Sequence, residues 1–232
     1  MVDLSNRLLT LLPRPTKAAL VPLLELVQLE PGVLLYKEFV EQKYVYFPTF
    51  GIVSFLHVMQ SGASAEIGLV GNDGLVGLAP VLGGRAASGR AVVQVAGAAW
   101  RMEASALRAR ILLDKRLGAL LAQYAQVFLA QVSQTAVCNR AHNVEQQFCR
   151  WMLMSLDRLQ DENFRMTQKL IADMLGARRE AVSIVATRLR KKGAIEYIRG
   201  VITVVDRNTL EKSSCECYAE LNAETERLLR LS

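Results

Sequence analysis

A chain of 232 residues, 51% of them hydrophobic, can fill two cores of ordinary size. Its 28 Lys and Arg against 22 Asp and Glu leave a formal charge of +6, which favours a polyanionic partner. The opening MVDLSNRLLTLLPRPTK has no small-residue cleavage site, and no later stretch is apolar enough for long enough to span a bilayer, so a cytoplasmic protein without membrane association is expected.

Asn6 to Leu26 reads as a small helical opening built on Leu8, Leu11, Leu12, Leu20 and Leu24, broken by Pro13, Pro15 and Pro22. Short strands follow at Leu29–Tyr36 around Pro31-Gly32, then at Lys43–Phe47, Gly51–Met59, Ser64–Val70, Ala91–Gln94 and Ala98–Met102. Turns at Phe47-Pro48, Ser61-Gly62, Asn72-Asp73-Gly74 and Gly83-Gly84 separate them, a spacing that argues an all-β roll or jelly roll. From Glu103 the pattern turns helical. Leu113, Leu117, Leu120, Tyr124, Val127, Phe128 and Gln131 share one side of a helix longer than a small domain needs, and their heptad-like spacing permits a seam with a second copy of the chain.

The stretch TQKLIADMLGARREAVSIVATRLRKK, Thr167 to Lys192, predicts two short amphipathic helices joined at Gly176. Thr167 is placed to cap the first, whose inner face is Leu170, Ile171, Met174 and Leu175. Gly176 can take the left-handed conformation that ends a helix sharply. The second helix, from Arg178, has an inner stripe of Val182, Val185, Ala186 and Leu189, and Gly193 stops it. This is a helix-turn-helix signature, in which the start of the second helix meets base edges in the major groove. Arg178, Arg179, Glu180, Ser183 and Thr187 are therefore candidate groove residues: arginine grips guanine with two bonds, glutamate accepts from cytosine, and hydroxyls serve either. Arg188, Lys191 and Lys192 lie further along and suit phosphates, and Thr167 and Gln168 at the head of the first helix are further DNA-binding candidates. AIEYIRGVITVVD then alternates around Arg199-Gly200 as a two-stranded wing, with Arg199 at its tip as a further phosphate contact.

On these residues the chain resembles the Crp/Fnr family of bacterial transcription regulators, most specifically between Thr167 and Asp206, with the Arg179-Glu180 pair matching the family's recognition helix and Ile184 departing from an arginine found in some members. The resemblance implies an α+β chain: an N-terminal double-stranded β-roll like a cyclic-nucleotide-binding domain at 1–112 and a dimerisation helix at 113–140. A winged helix-turn-helix at 141–212 and a helical tail at 213–232 complete it. It implies a homodimer on an inverted repeat of double-stranded DNA, an unidentified small-molecule effector of the roll, and RNA polymerase as a further partner.

In cyclic-nucleotide-binding relatives a glutamate follows a glycine, and an arginine with a hydroxyl neighbour comes later. Here Gly74 is followed by Leu75. Arg85 is followed by Ala86, and a register taken from the next strand offers Ser88 and Gly89 instead. Cyclic nucleotide binding is therefore not expected, and Gly74, Leu75, Arg85, Ser88 and Arg90 are kept as candidates for another, anionic effector. Cys138, Cys149, Cys215 and Cys217 all fall in the second half, away from the N-terminal cluster that holds iron and sulfur in some relatives. Cys215-Glu216-Cys217 offers two ligands with no histidine beside them, and His57 and His142 are isolated, so no metal and no cofactor is expected. No nucleophile with its base, no paired carboxylates and no phosphate loop are present, which argues against an enzyme. An interaction scaffold, or a DNA-binding protein whose roll serves only protein contacts, is the alternative.

Overall fold

The computed structural model describes residues 4–60, 62, 64–159 and 163–229. Ser61 of the expected turn and the last three residues of the expected tail lie outside them. The chain opens on two short helices, α1 (Arg7–Leu11) and α2 (Arg14–Leu20), and a 3-10 turn at Val21–Leu23. The prolines start these elements instead of breaking them: Pro15 sits in the first turn of α2, where its missing N–H would have had no partner. Asn6 caps α1, and its amide donates to the carbonyls of Pro48 and Gly74 at 2.8 Å each, tying the opening to the sheet.

Five antiparallel strands form the jelly-roll-like sheet: β1 (Glu25–Leu29), β2 (Leu34–Tyr36), β3 (Tyr44–Val58), β4 (Ser64–Val70) and β5 (Arg90–Glu103). They run in the order β1-β5-β3-β4, with β2 also on β5. The long strands β3 and β5 each unite two segments that the sequence separates. Pro48 does not end β3: it lies opposite Ala99, and register shifts at Phe50 and Ile52 bend the strand, which lets it curl without stopping. Leu29, Tyr46, Val53, Phe55, Val70, Val76 and Val93 fill the roll's interior.

Helix α3 (Ala104–Leu113) leads into α4 (Lys115–Ala141) through Asp114, whose carboxylate caps α4 by accepting from the amides of Arg116 and Leu117. The stripe expected at a subunit seam is turned inward. Leu117, Leu120 and Tyr124 pack among Leu8, Val45, Phe47 and Leu107, and Val127 is buried as well. Phe128 packs against Phe55 with ring centroids 4.7 Å apart and planes inclined by 55°, and Gln131 accepts from the Leu69 amide at 2.6 Å. Leu113 closes α3, before the break, and is exposed. Periodicity revealed a buried face without revealing what buries it; here it is the chain's own roll. The outer face of α4 instead presents Ala119, Ala122, Gln126, Leu129, Ser133 and Ala136, all exposed and spaced alternately three and four apart.

Beyond α4 come α5 (Val144–Leu159), β6 (Asn163–Arg165), α6 (Gln168–Leu175), α7 (Arg179–Lys191), β7 (Ile195–Ile198), β8 (Val201–Val204), α8 (Arg207–Ser213) and α9 (Glu216–Leu229). Phe148, Met152, Leu153, Ile171, Val182, Leu189 and Ile202 share one core that also takes in Ile52 and Leu69 of the sheet. Each fully buried aliphatic contributes about 1.5–3 kcal/mol, so this core fixes the helices firmly. Helix α9 returns along α4, with Gln134 donating to Glu220 at 3.1 Å and Arg7 3.6 Å from Glu226. Among the described residues no helix is long and apolar enough to cross a membrane.

Candidate nucleic-acid interface

Thr167 accepts from the Leu170 amide at 3.2 Å and so caps α6, whose Ile171, Met174 and Leu175 are buried. Gly176 stands at φ 61°, ψ 28°, the left-handed conformation that turns the chain within three residues into α7. Arg178 is the N-cap of α7, and Val182, Val185, Ala186 and Leu189 are its buried stripe. The opposite face is open: Arg178, Arg179, Glu180, Thr187, Arg188 and Lys191 are exposed, Ser183 is half-buried, and Ile184 is 60% exposed.

The wing stands beside this face. Arg199 (φ 49°) and Gly200 (φ 79°) form a two-residue turn with both residues in the left-handed region, as a type I′ hairpin requires. Sequence reading missed a third strand, β6, which pairs with β8 from Asn163 to Arg165 and makes a sheet of order β6-β8-β7. Three residues opposite Val201–Thr203 carry too little alternation to register as a strand. Tyr197 donates to the Met166 carbonyl at 2.6 Å, locking the wing to the entrance of α6. Thr167, Gln168, Lys169, Arg179, Tyr197, Arg199 and Gly200 line one recess between the head of α6, the head of α7 and the wing tip. First-turn amides, a helix N-terminus and three cations converge there, which suits a backbone phosphate.

Not every expected cation is free. Arg188 and Lys192 each lie 2.6 Å from Glu145 at the start of α5. Burial works against ionisation of Glu145, but Lys192 and Arg188 hold its carboxyl below the usual range. Both side chains are thus drawn back toward α5. Among the described residues Arg178, Arg179, Arg190, Lys191 and Arg199 make no ion pair, the pattern of a face that meets an outside anion.

The effector candidates do not converge on a site. Leu75 is fully buried and its carbonyl accepts from the Tyr124 hydroxyl at 3.2 Å. A Cβ on Gly74 would stand 2.2 Å from that hydroxyl oxygen, so this glycine lets α4 approach the sheet. Arg85 is bound by Glu41 at 2.8 and 3.0 Å, and Arg90 by Glu38 at 2.5 and 3.1 Å, while Ser88 is exposed. The two cations reserved for an anion already hold carboxylates of the same chain.

Two polar contacts join the roll to the helices behind the interface. Arg158 of α5 lies 2.8 Å from Asp73. Glu66 of β4 is buried, accepts from the Trp151 indole at 2.9 Å, and takes the Ser54 hydroxyl on its other oxygen. Burial pushes the Glu66 carboxyl up to about 7, against the pull of Ser54, Trp151, Arg150 and Arg158.

Three cysteines and a histidine that lie apart in the sequence are also brought together. Cys138, His142, Cys215 and Cys217 place one ligand atom each within 4.8 Å of all the others. The spacing Cys138-x-x-x-His142 at the end of one helix was the available signal, but its complement lies more than seventy residues on.

Residues 146–213 match the Crp-like helix-turn-helix domain family. No curated protein matches the chain by sequence. Among solved structures, FixK2 from Bradyrhizobium japonicum superposes with a TM-score of 0.69 at 17% identity, over 83% of this chain and 98% of its own. A CRP-family transcriptional regulator from Thermus thermophilus gives 0.67 at 18% identity over 81% and 96%. The c-di-GMP-responsive global regulator CLP of Xanthomonas campestris gives 0.64 at 12% identity over 83% and 99%. These likenesses give the fold from the roll to the wing.

Proposed function

Because residues 146–213 form a Crp-like helix-turn-helix domain in a chain with the fold of Crp/Fnr transcription regulators, we propose that the protein is a homodimeric regulator that reads an inverted repeat in double-stranded DNA. The observation that carries this reading is the open face of α7, with Arg178, Arg179 and Lys191 making no ion pair among the described residues. Arg179, Glu180 and Ser183 would meet base edges, while Lys191, Arg199 and the head of α6 would hold phosphates on either side.

The seam we assign is the outer face of α4, Ala119, Ala122, Gln126, Leu129, Ser133 and Ala136, because the inner face is already occupied. Two copies joined there would set their recognition helices about 34 Å apart, one turn of DNA. Occupancy of such a site would act on transcription by recruiting or occluding RNA polymerase. A second reading, regulation without anion capture by the roll, is favoured by the Arg85–Glu41 and Arg90–Glu38 pairs.

Pulldown of genomic fragments with the full chain, followed by sequencing, tests the proposal. A two-fold symmetric motif with half-sites about 10 base pairs apart supports it. Recovery of fragments with no shared motif contradicts it.

A further inference from the structure

Cys138 lies in the last turn of α4, and His142 is the residue that caps that helix. Cys215 and Cys217 flank Glu216 where α9 begins. The four residues thus come from the two points at which the chain enters and leaves the winged module. Sγ of Cys138 is 3.6 Å from Sγ of Cys215, and Sγ of Cys217 is 3.6 Å from Nδ1 of His142. A tetrahedral zinc ion with bonds of about 2.3 Å to sulfur and 2.0 Å to nitrogen has ligand–ligand edges of roughly 3.5–3.8 Å. These two separations already match that figure, and every other pair of ligand atoms lies within 4.8 Å.

The surroundings agree with a closed structural site. All three thiols are buried. His142 turns Nδ1 to the sulfur and Nε2 to Glu216 Oε1 at 3.2 Å, the outward carboxylate bond that orients a ligating imidazole and fixes its tautomer. Three thiolates and a neutral imidazole around a divalent ion carry one net negative charge. The buried guanidinium of Arg150 acts electrostatically on Cys138, and its Nε has no hydrogen-bond partner among the described residues, so a compensating cation is at hand.

We propose that Cys138, His142, Cys215 and Cys217 bind one zinc ion that staples the start of α9 to the end of α4, pinning both ends of the winged module at one spot. Binding converts the three thiols to thiolates and releases their protons to solvent; no electron moves. Thiolate and imidazole donors in a four-coordinate cage select zinc over hard divalent ions such as magnesium or calcium. By fixing the exit of α8 against the same helix that carries the proposed dimer seam, the ion would limit how far each recognition helix can swing.

The test uses the full chain, prepared under reducing conditions with zinc in the medium and then dialysed. Elemental analysis should give about one zinc per chain, and exchange into cobalt should give the thiolate-to-metal absorption and the visible bands of a tetrahedral ion. Cys215→Ala and Cys217→Ala should lose the metal, while Cys149→Ala, a buried thiol elsewhere, should retain it, and His142→Cys should bind as a four-thiolate site. Should the alanine variants fail to fold, the cobalt spectrum of the wild-type chain decides alone. Fully reduced wild-type protein without metal and without a cobalt spectrum would overturn the proposal. So would iron with the absorption of a cluster, a disulfide between Cys138 and Cys215 in place of the ion, or equal loss of metal in Cys149→Ala.

Discussion

The open face of α7 with the wing tip and the three arginines Arg85, Arg90 and Arg101 of the roll use their charge oppositely, although each region also holds cations of the other kind. In the roll, Arg85, Arg90 and Arg101 each hold a glutamate of the same chain, Glu41, Glu38 and Glu25. In the module, Arg178, Arg179, Lys191 and Arg199 hold none among the described residues, and the carboxylates near them are few. A paired surface cation has little to gain from a new anion, because it must first give up the carboxylate it has. An unpaired row along one helix face keeps its whole field for the partner. Basic charge marks an anion site only where the chain has not already answered it.

The largest effect that would sharpen this contrast is at Arg179, the unpaired arginine proposed to meet base edges. Arg179→Ala should cost about 1–3 kcal/mol on the selected operator and relax base choice at one position, checked by binding curves on operator and random duplex; equal loss on both would move Arg179 to the phosphate class. Next comes the joint between the two regions. Glu66 has a raised carboxyl of about 7 in the fold, so between the unfolded carboxylate range and that value the folded state binds the extra proton. Its contribution to stability is therefore fully present in acid and is lost as pH rises from the unfolded carboxylate range through about 7, roughly 3 kcal/mol in all. Thermal unfolding should show Glu66→Gln more stable than wild type at pH 8, with the difference shrinking by pH 5; a difference independent of pH would contradict the assignment.

Smaller effects separate free from engaged cations within α7 itself. Lys191→Ala should weaken binding to all duplexes by roughly 0.5–1 kcal/mol and lower the slope of affinity against salt by about one, whereas Arg188→Ala, held by Glu145, should do so less. At the bottom of the scale, Arg85→Ala and Arg90→Ala should leave operator affinity within about 0.5 kcal/mol of wild type. A substantial loss for either would show that the roll's cations do act on DNA binding, and the contrast would fail.

What the sequence disclosed follows the same division. The module is built from local instructions, each visible within a few residues: a Thr167 cap, a left-handed Gly176, a buried four-residue stripe, and the Arg199-Gly200 turn. The roll was legible as a class but not in its strands, because Pro48 and the register shifts near Phe50 bend one long ladder where turn residues suggested an end. The seam and the cysteine cluster depend on what packs against what. Leu117, Tyr124 and Phe128 have the spacing of an interface and lie against the chain's own sheet. Cys138 and Cys215 touch only because α9 folds back along α4, which no local pattern encodes.

The claim on which the rest depends is that the open arginine face of α7 reads DNA sequence. Titrating the full chain against its selected operator and against a scrambled duplex of the same length, across a range of salt, measures this directly. Operator binding should be at least about a thousandfold tighter than scrambled at physiological salt, with both weakening as salt rises. Equal affinity for the two duplexes, or none for either at low salt, would contradict it.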